Sequence, residues 1–153
     1  MGVEIERKFL VDKSWRPTTR GIVVRQGYLP QRGALLVRIR RQDERAFITL
    51  KGRTTGVTRA EYEYEIPAHD ADELMRFCEE PIIDKTRYVE TIGGHKWEID
   101  VFAGANDGLV VAEIELQRED EEFARPSWLG DEVSGDARYY NSNLISHPYK
   151  DWK

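Results

Sequence analysis

Val37-Arg38-Ile39-Arg40, Phe47-Ile48-Thr49-Leu50-Lys51 and Glu61-Tyr62-Glu63-Tyr64-Glu65-Ile66 follow one another closely, and each alternates apolar with polar or charged residues. A period of two marks a strand with one greasy and one polar face. Outward from this stretch, Trp97-Glu98-Ile99-Asp100-Val101 and Ala112-Glu113-Ile114-Glu115-Leu116 repeat the pattern. So does Glu4-Ile5-Glu6-Arg7-Lys8-Phe9, apart from Arg7, which falls on the apolar side. Residues 22–29 and 85–92 are further strand candidates, which makes about eight in all. Gln31-Arg32-Gly33, Gln42-Asp43-Glu44 and Gly93-Gly94 supply turn chemistry between them. Helices are expected to be few: 70–80, with Asp70 as a cap and Pro81 as a stop, then 136–146 ahead of Pro148, and a short one at 119–124 ahead of Pro126.

The polar faces are sorted by sign. Acidic pairs stand at Glu4/Glu6, Glu61/Glu63 and Glu113/Glu115, and basic pairs at Arg38/Arg40 and Lys85/Arg87. Like charges two apart on one face repel and need a partner. Outward-facing salt partners on neighbouring strands are one solution, since a solvated outer face is the ordinary fate of such residues. The other is a closed antiparallel barrel with the charges inside, because about eight strands enclose a space that side chains or one small ligand can fill. Drying such charges would cost on the order of several kcal/mol per ion, so that interior must be wet and hold counter-charge. A polyphosphate with divalent cations suits it: the basic rows clamp phosphate oxygens and the carboxylates hold Mg²⁺ or Mn²⁺.

The chain's 153 residues allow one domain spanning 1–153, with no repeat or linker. Twenty-three basic against 28 acidic residues leave a formal charge of −5, which disfavours nucleic acid as a partner. Cys78 is the single cysteine, so disulfide frameworks and multi-cysteine metal sites are excluded, and a reducing, cytoplasmic setting is expected. No stretch nears the roughly 20 apolar residues of a membrane span. His69, His95 and His147 lack the spacing of a zinc site, and neither a P-loop nor a Gly-x-Ser-x-Gly elbow occurs. Trp15, Trp97, Trp128 and Trp152 read as packing residues.

Val3-Glu4-Ile5-Glu6-Arg7-Lys8-Phe9-Leu10 matches the Glu-x-Glu-x-Lys signature of the CYTH superfamily, the triphosphate tunnel metalloenzymes. Ordered companions make the resemblance specific: Arg38-Ile39-Arg40, Thr49-Leu50-Lys51, Arg59-Ala60-Glu61-Tyr62-Glu63, Lys85-Thr86-Arg87, Trp97-Glu98-Ile99-Asp100, Ala112-Glu113-Ile114-Glu115-Leu116 and Asp136-Ala137-Arg138-Tyr139-Tyr140-Asn141. The chain resembles the short bacterial members in which this domain stands alone.

The resemblance implies a mainly β (α+β) fold, a closed eight-stranded antiparallel barrel forming a tunnel, with a few helices packed outside. It further implies that Lys8, Arg38, Arg40, Lys51, Lys85 and Arg87 contact phosphate oxygens, with Arg138 adding a contact at the tunnel mouth. Glu4, Glu6, Glu113 and Glu115 would hold metal, joined by Asp100, and Glu61 and Glu63 would orient the basic residues across the tunnel or reach metal through water. No protein nucleophile is evident, so the expected chemistry is hydrolysis of inorganic triphosphate by metal-activated water, with Lys85 or Tyr28 available for proton transfer. The same tunnel serves adenylate cyclases, thiamine, nucleoside and RNA triphosphatases, and would serve a non-catalytic polyphosphate or nucleotide sensor. The expected partner is a small-molecule triphosphate, without nucleic acid or membrane. Oligomeric state stays open, a homodimer being one arrangement.

Overall fold

The computed structural model describes residues 2–152. Nine strands follow in order: β1 (Val3–Val11), β2 (Ile22–Tyr28), β3 (Leu36–Gln42), β4 (Arg45–Lys51), β5 (Thr58–Ile66), β6 (Ile83–Ile92), β7 (His95–Phe102), β8 (Val110–Glu115) and β9 (Leu129–Glu132). Eight of them form one antiparallel sheet in the order β5-β4-β3-β2-β6-β7-β8-β1. The sheet closes where Val3, Glu4 and Ile5 pair with Ala60, Arg59 and Thr58. Past this short seam β1 parts from β5 and stays paired with β8, and β9 takes its other edge, pairing at Phe9 and Val11. That ninth strand lies outside the eight that the alternation predicts. Its sequence, Leu-Gly-Asp-Glu, carries almost no alternation.

Tight turns set the registers. Asp43 takes a positive φ of 51° between β3 and β4, and Gly93 and Gly94 at 59° and 83° close the β6–β7 hairpin. Two successive positive φ values are what a two-residue hairpin loop needs, and glycine adopts them without strain.

The apolar rows lie where the alternation puts them, but helices cover only part of them. Helix α1 (Ala68–Leu74) and the 3-10 turn Met75–Phe77 seat Ala71, Met75 and Cys78 on Ile39 and Ala46 of β3 and β4. The helix starts after Pro67 rather than at Asp70, which sits in its first turn. Over β1, β7 and β8, the row of Phe9, Trp97, Ile99, Ala112 and Ile114 is covered instead by coil, through Trp15, Phe123 and Trp128.

The expected helix at 119–124 does not form. Four successive acids repel one another at helical spacing, and the segment has better uses for its side chains. Phe123 packs edge-on against both Phe9 and Trp97, and Glu121 reaches the His95 ring at 2.6 Å.

The expected helix at 136–146 is broken as well. It consists of a 3-10 turn, Ala137–Tyr139, and a single helical turn, α2 (Asn143–Ser146). At the end of the 3-10 turn the Tyr139 carbonyl accepts from Lys8 Nζ at 3.0 Å, and between the two pieces Asn141 Oδ1 accepts from Lys85 Nζ at 3.4 Å. Groups spent on the barrel interior are not free to propagate a helix.

This C-terminal stretch decides the shape of the bore. Leu144 and Ile145 of α2 pack among Tyr28, Leu36, Ile83, Phe102 and Val111, which share strand faces with the charged rows. One end of the barrel is therefore filled with hydrocarbon, and Tyr139, Tyr149 and Trp152 pack against it. The bore is polar along part of its length and plugged along the rest. No helix among the described residues is long and apolar enough to cross a membrane.

Candidate active site

The polar part of the bore is a cavity of about 390 Å³. Period two aims the side chains: on each strand the charged residues at i and i+2 reach the same interior. Glu4, Glu6 and Lys8 enter from β1, Arg38 and Arg40 from β3, and Lys51 from β4. Glu61 and Glu63 enter from β5, Arg87 from β6, and Glu113 and Glu115 from β8. Tyr28 and Leu36 line it too, and both belong to the apolar plug.

The cations are unequally matched. Arg87 is held bidentately by Asp100 at 2.8 and 2.9 Å and also meets Glu98 at 3.3 Å. Lys51 lies 3.2 Å from Glu61 and 3.4 Å from Glu4. Arg38 Nη2 donates to Thr49 and to Glu63, but its Nε is buried with no partner. Arg40 has no carboxylate partner among the described residues; its bonds go to the neutral amides of Gln26 at 2.9 Å and Gln42 at 3.2 Å. Burial, reinforced by Arg38 and Arg87, pulls this guanidinium down to about 9. A buried, under-compensated guanidinium beside an unpartnered N–H is a demand for an anion.

The opposite wall carries the reverse imbalance. Burial raises the Glu4 carboxyl to about 7, with Glu61 and Glu113 adding to the effect against Lys51. Burial, then Glu113 and Glu4, raise Glu6 well above its ordinary range. Burial would raise Glu113 as well, but Lys8 and the Glu6 carboxyl hold it below the ordinary carboxylate range. Crowded carboxylates of this kind are a hard-oxygen donor set, and a divalent cation would relieve their repulsion. As they stand, no three His, Cys, Asp or Glu side chains among the described residues already enclose a metal position.

Three of the residues singled out from sequence stand off the cavity. Arg138 lies on the exterior, 52% exposed, bonded to Asp136 and resting over the Tyr139 and Trp152 rings. Asp100 is 1% exposed, and both its oxygens are engaged by Arg87 and Lys85. The Lys85 ammonium is withdrawn from solvent, 2.7 Å from Asp100, and burial with Arg87 and Arg40 nearby pulls it down to about 7. Conversely, Glu98 and Gln42 line the cavity and Gln26 lies fully buried beside it, though none was singled out. Glu98 had a legible signal, since it shares the strand face of Asp100. Gln26 shares that of Tyr28, but one amide among aliphatics carries no charge pattern.

A model of the CYTH domain matches residues 2–148 of the chain. An inorganic triphosphatase from Acetivibrio thermocellus is 46% identical over 155 aligned positions, covering 100% of this chain and 99% of that protein. A second inorganic triphosphatase, from Nitrosomonas europaea, is 38% identical and covers 92% of this chain and 95% of its own length. The crystal structure of an inorganic triphosphatase superposes with a TM-score of 0.67 at 36% identity, covering 92% of this chain and 96% of that one.

Proposed function

The chain belongs to the CYTH domain family, and from that premise we propose that it is a metal-dependent inorganic triphosphatase, a single domain that hydrolyses tripolyphosphate to phosphate and pyrophosphate. The observation that carries this reading is the double imbalance of the bore. One wall holds buried cations short of anions: among the described residues Arg40 has no carboxylate partner and Arg38 Nε no partner at all. The other holds carboxyls that burial, reinforced by their crowding, makes resist ionising at Glu4 and Glu6. A triphosphate with a divalent cation cancels both at once.

In this reading Arg38, Arg40, Lys51, Lys8 and Arg87 bind phosphate oxygens, the arginines offering two N–H groups to one phosphate. Glu4, Glu6, Glu113 and Glu115 hold the cation, Mg²⁺ or Mn²⁺. That ion supplies charge neutralisation on the phosphate chain and activation of the attacking water. Asp100, with its oxygens already taken, serves by aiming Arg87. Lys85 holds Asp100 and Asn141, and Tyr28, which faces the cavity, offers its hydroxyl to the substrate. Glu61 and Glu63 set the positions of Lys51 and Arg38. The blind end suits a short inorganic chain, which has no bulky group to pass beyond the phosphates. A cytoplasmic setting accords with the free, buried Cys78.

The test is phosphate release from tripolyphosphate, ATP, thiamine triphosphate and pyrophosphate, with Mg²⁺, Mn²⁺ or EDTA. Tripolyphosphate is expected to turn over fastest and EDTA to abolish turnover. Substituting Glu113→Gln or Glu115→Gln should lower kcat by about 100-fold or more, as loss of a metal ligand or transition-state contact does. Cyclic AMP from ATP would replace this reading with a cyclase, and tight triphosphate binding without product under either metal would replace it with a sensor.

A further inference from the structure

We propose that Gln26 is a positioning residue that fixes the polarity of the Tyr28 hydroxyl, so that its proton points into the cavity toward a phosphate oxygen. The inference deepens the triphosphatase reading and rests on it. Gln26 is fully buried in β2, paired in register with Arg40 on β3. Arg40 Nε lies 2.9 Å from Gln26 Oε1. A guanidinium has only donors, so the atom it meets must be the amide oxygen, and the orientation of the amide is thereby decided.

The other end of the same amide, Nε2, then faces the Tyr28 hydroxyl at 3.1 Å. An NH₂ group only donates, so the phenol oxygen accepts there. The Tyr28 hydroxyl has no other hydrogen-bond partner among the described residues, the ring is packed in the apolar plug, and the residue lines the cavity. The O–H bond cannot point at Gln26, and hydrocarbon offers it no acceptor. It is left aimed at the bore, where an anionic oxygen would receive it. The relay Arg40–Gln26–Tyr28 thus transmits the fixed donor character of an arginine to a hydroxyl that could otherwise turn either way. Each bond in such a chain polarises the next, and the phenol becomes a better donor for it.

Replacing the amide by a carboxylate reverses the relay. In Gln26→Glu both oxygens accept, one from Arg40 and one from Tyr28, and the hydroxyl presents a lone pair to the substrate instead of a proton. The experiment is a double-mutant cycle on kcat for tripolyphosphate with Mg²⁺, using Gln26→Glu, Tyr28→Phe and the pair. Gln26→Glu is expected to lower kcat by about 10-fold or more beside Tyr28, but by less than about 3-fold in the Tyr28→Phe background, where no hydroxyl can be turned. Equal losses in both backgrounds would overturn the proposal, because they would place the effect in packing or in the added charge on Arg40.

Gln26→Met, which removes both bonds without adding charge, carries the same cycle should the glutamate variant fold poorly; its loss is expected to be at least about 3-fold greater beside Tyr28. Tripolyphosphate affinity in EDTA, measured across the same variants, separates this inference from the reading beneath it. Absent turnover in the wild type would end the triphosphatase reading. Coupling in the affinities would still uphold the relay, and additive affinities would end the relay too.

Discussion

Arg7 and Asp100 show how single residues are explained by what they touch. Arg7 breaks the alternation of β1 by standing on its greasy face. There it forms a bidentate pair with Glu132 of β9, and its guanidinium rests over Phe9 and Phe123. An arginine can cover an aromatic row while keeping its head partly wet, which a lysine does less well. Asp100 is the opposite case, a carboxylate buried in the barrel wall. Burial would raise its pKa, yet Arg87 and Lys85 hold it far below the ordinary carboxylate range. Its contribution to stability is therefore complete above the unfolded value near 3.9 and is lost as the pH falls below it. Asp100→Asn leaves two buried cations under-compensated and should cost about 3–5 kcal/mol at pH 7 in urea unfolding. That gap should shrink by about 1 kcal/mol between pH 5 and pH 3. A gap constant with pH would mean that the carboxylate charge is not what the cations need.

At the scale of elements, packing sets what each strand tolerates outside the bore. Gly27 of β2 lies beneath the end of the 3-10 turn that follows α1. A methyl group there would stand 2.7 Å from Cys78 Cβ and 2.8 Å from Ile82 Cδ1. Gly27→Ala should consequently destabilise by about 1–3 kcal/mol, although alanine suits a strand no worse than glycine does. An unchanged urea midpoint would show that the turn yields freely. The same scale explains the lost helices. Residues 119–124 and 136–146 carry stop signals in the right places, but Phe123, Glu121, Tyr139 and Asn141 all make contacts on the barrel that a regular helix would forgo.

For the whole molecule the deciding feature is the plug. Leu144→Ala and Met75→Ala both empty apolar sites, 0% and 8% exposed, and both should cost about 2–5 kcal/mol. They should differ in function. Met75 sits outside the barrel, so its loss should leave the KM for tripolyphosphate unchanged. Leu144 backs the cavity floor at Tyr28 and Leu36, so its loss should raise KM. Equal KM values would detach the plug from the site. Alternation alone determined most of the strands, the shared strand faces of Glu4/Glu6, Arg38/Arg40 and Glu113/Glu115, and the sign of each face, but not which face turns inward, because period two is a local property of the backbone. It could not tell that Asp100 and Lys85 spend their charges on one another, that Arg138 turns outward, or that Gln26 links Arg40 to Tyr28. Those outcomes depend on which strands become neighbours and on where the C-terminal segment docks. Only closure of the sheet brings residues distant in the chain within reach of one hydrogen bond.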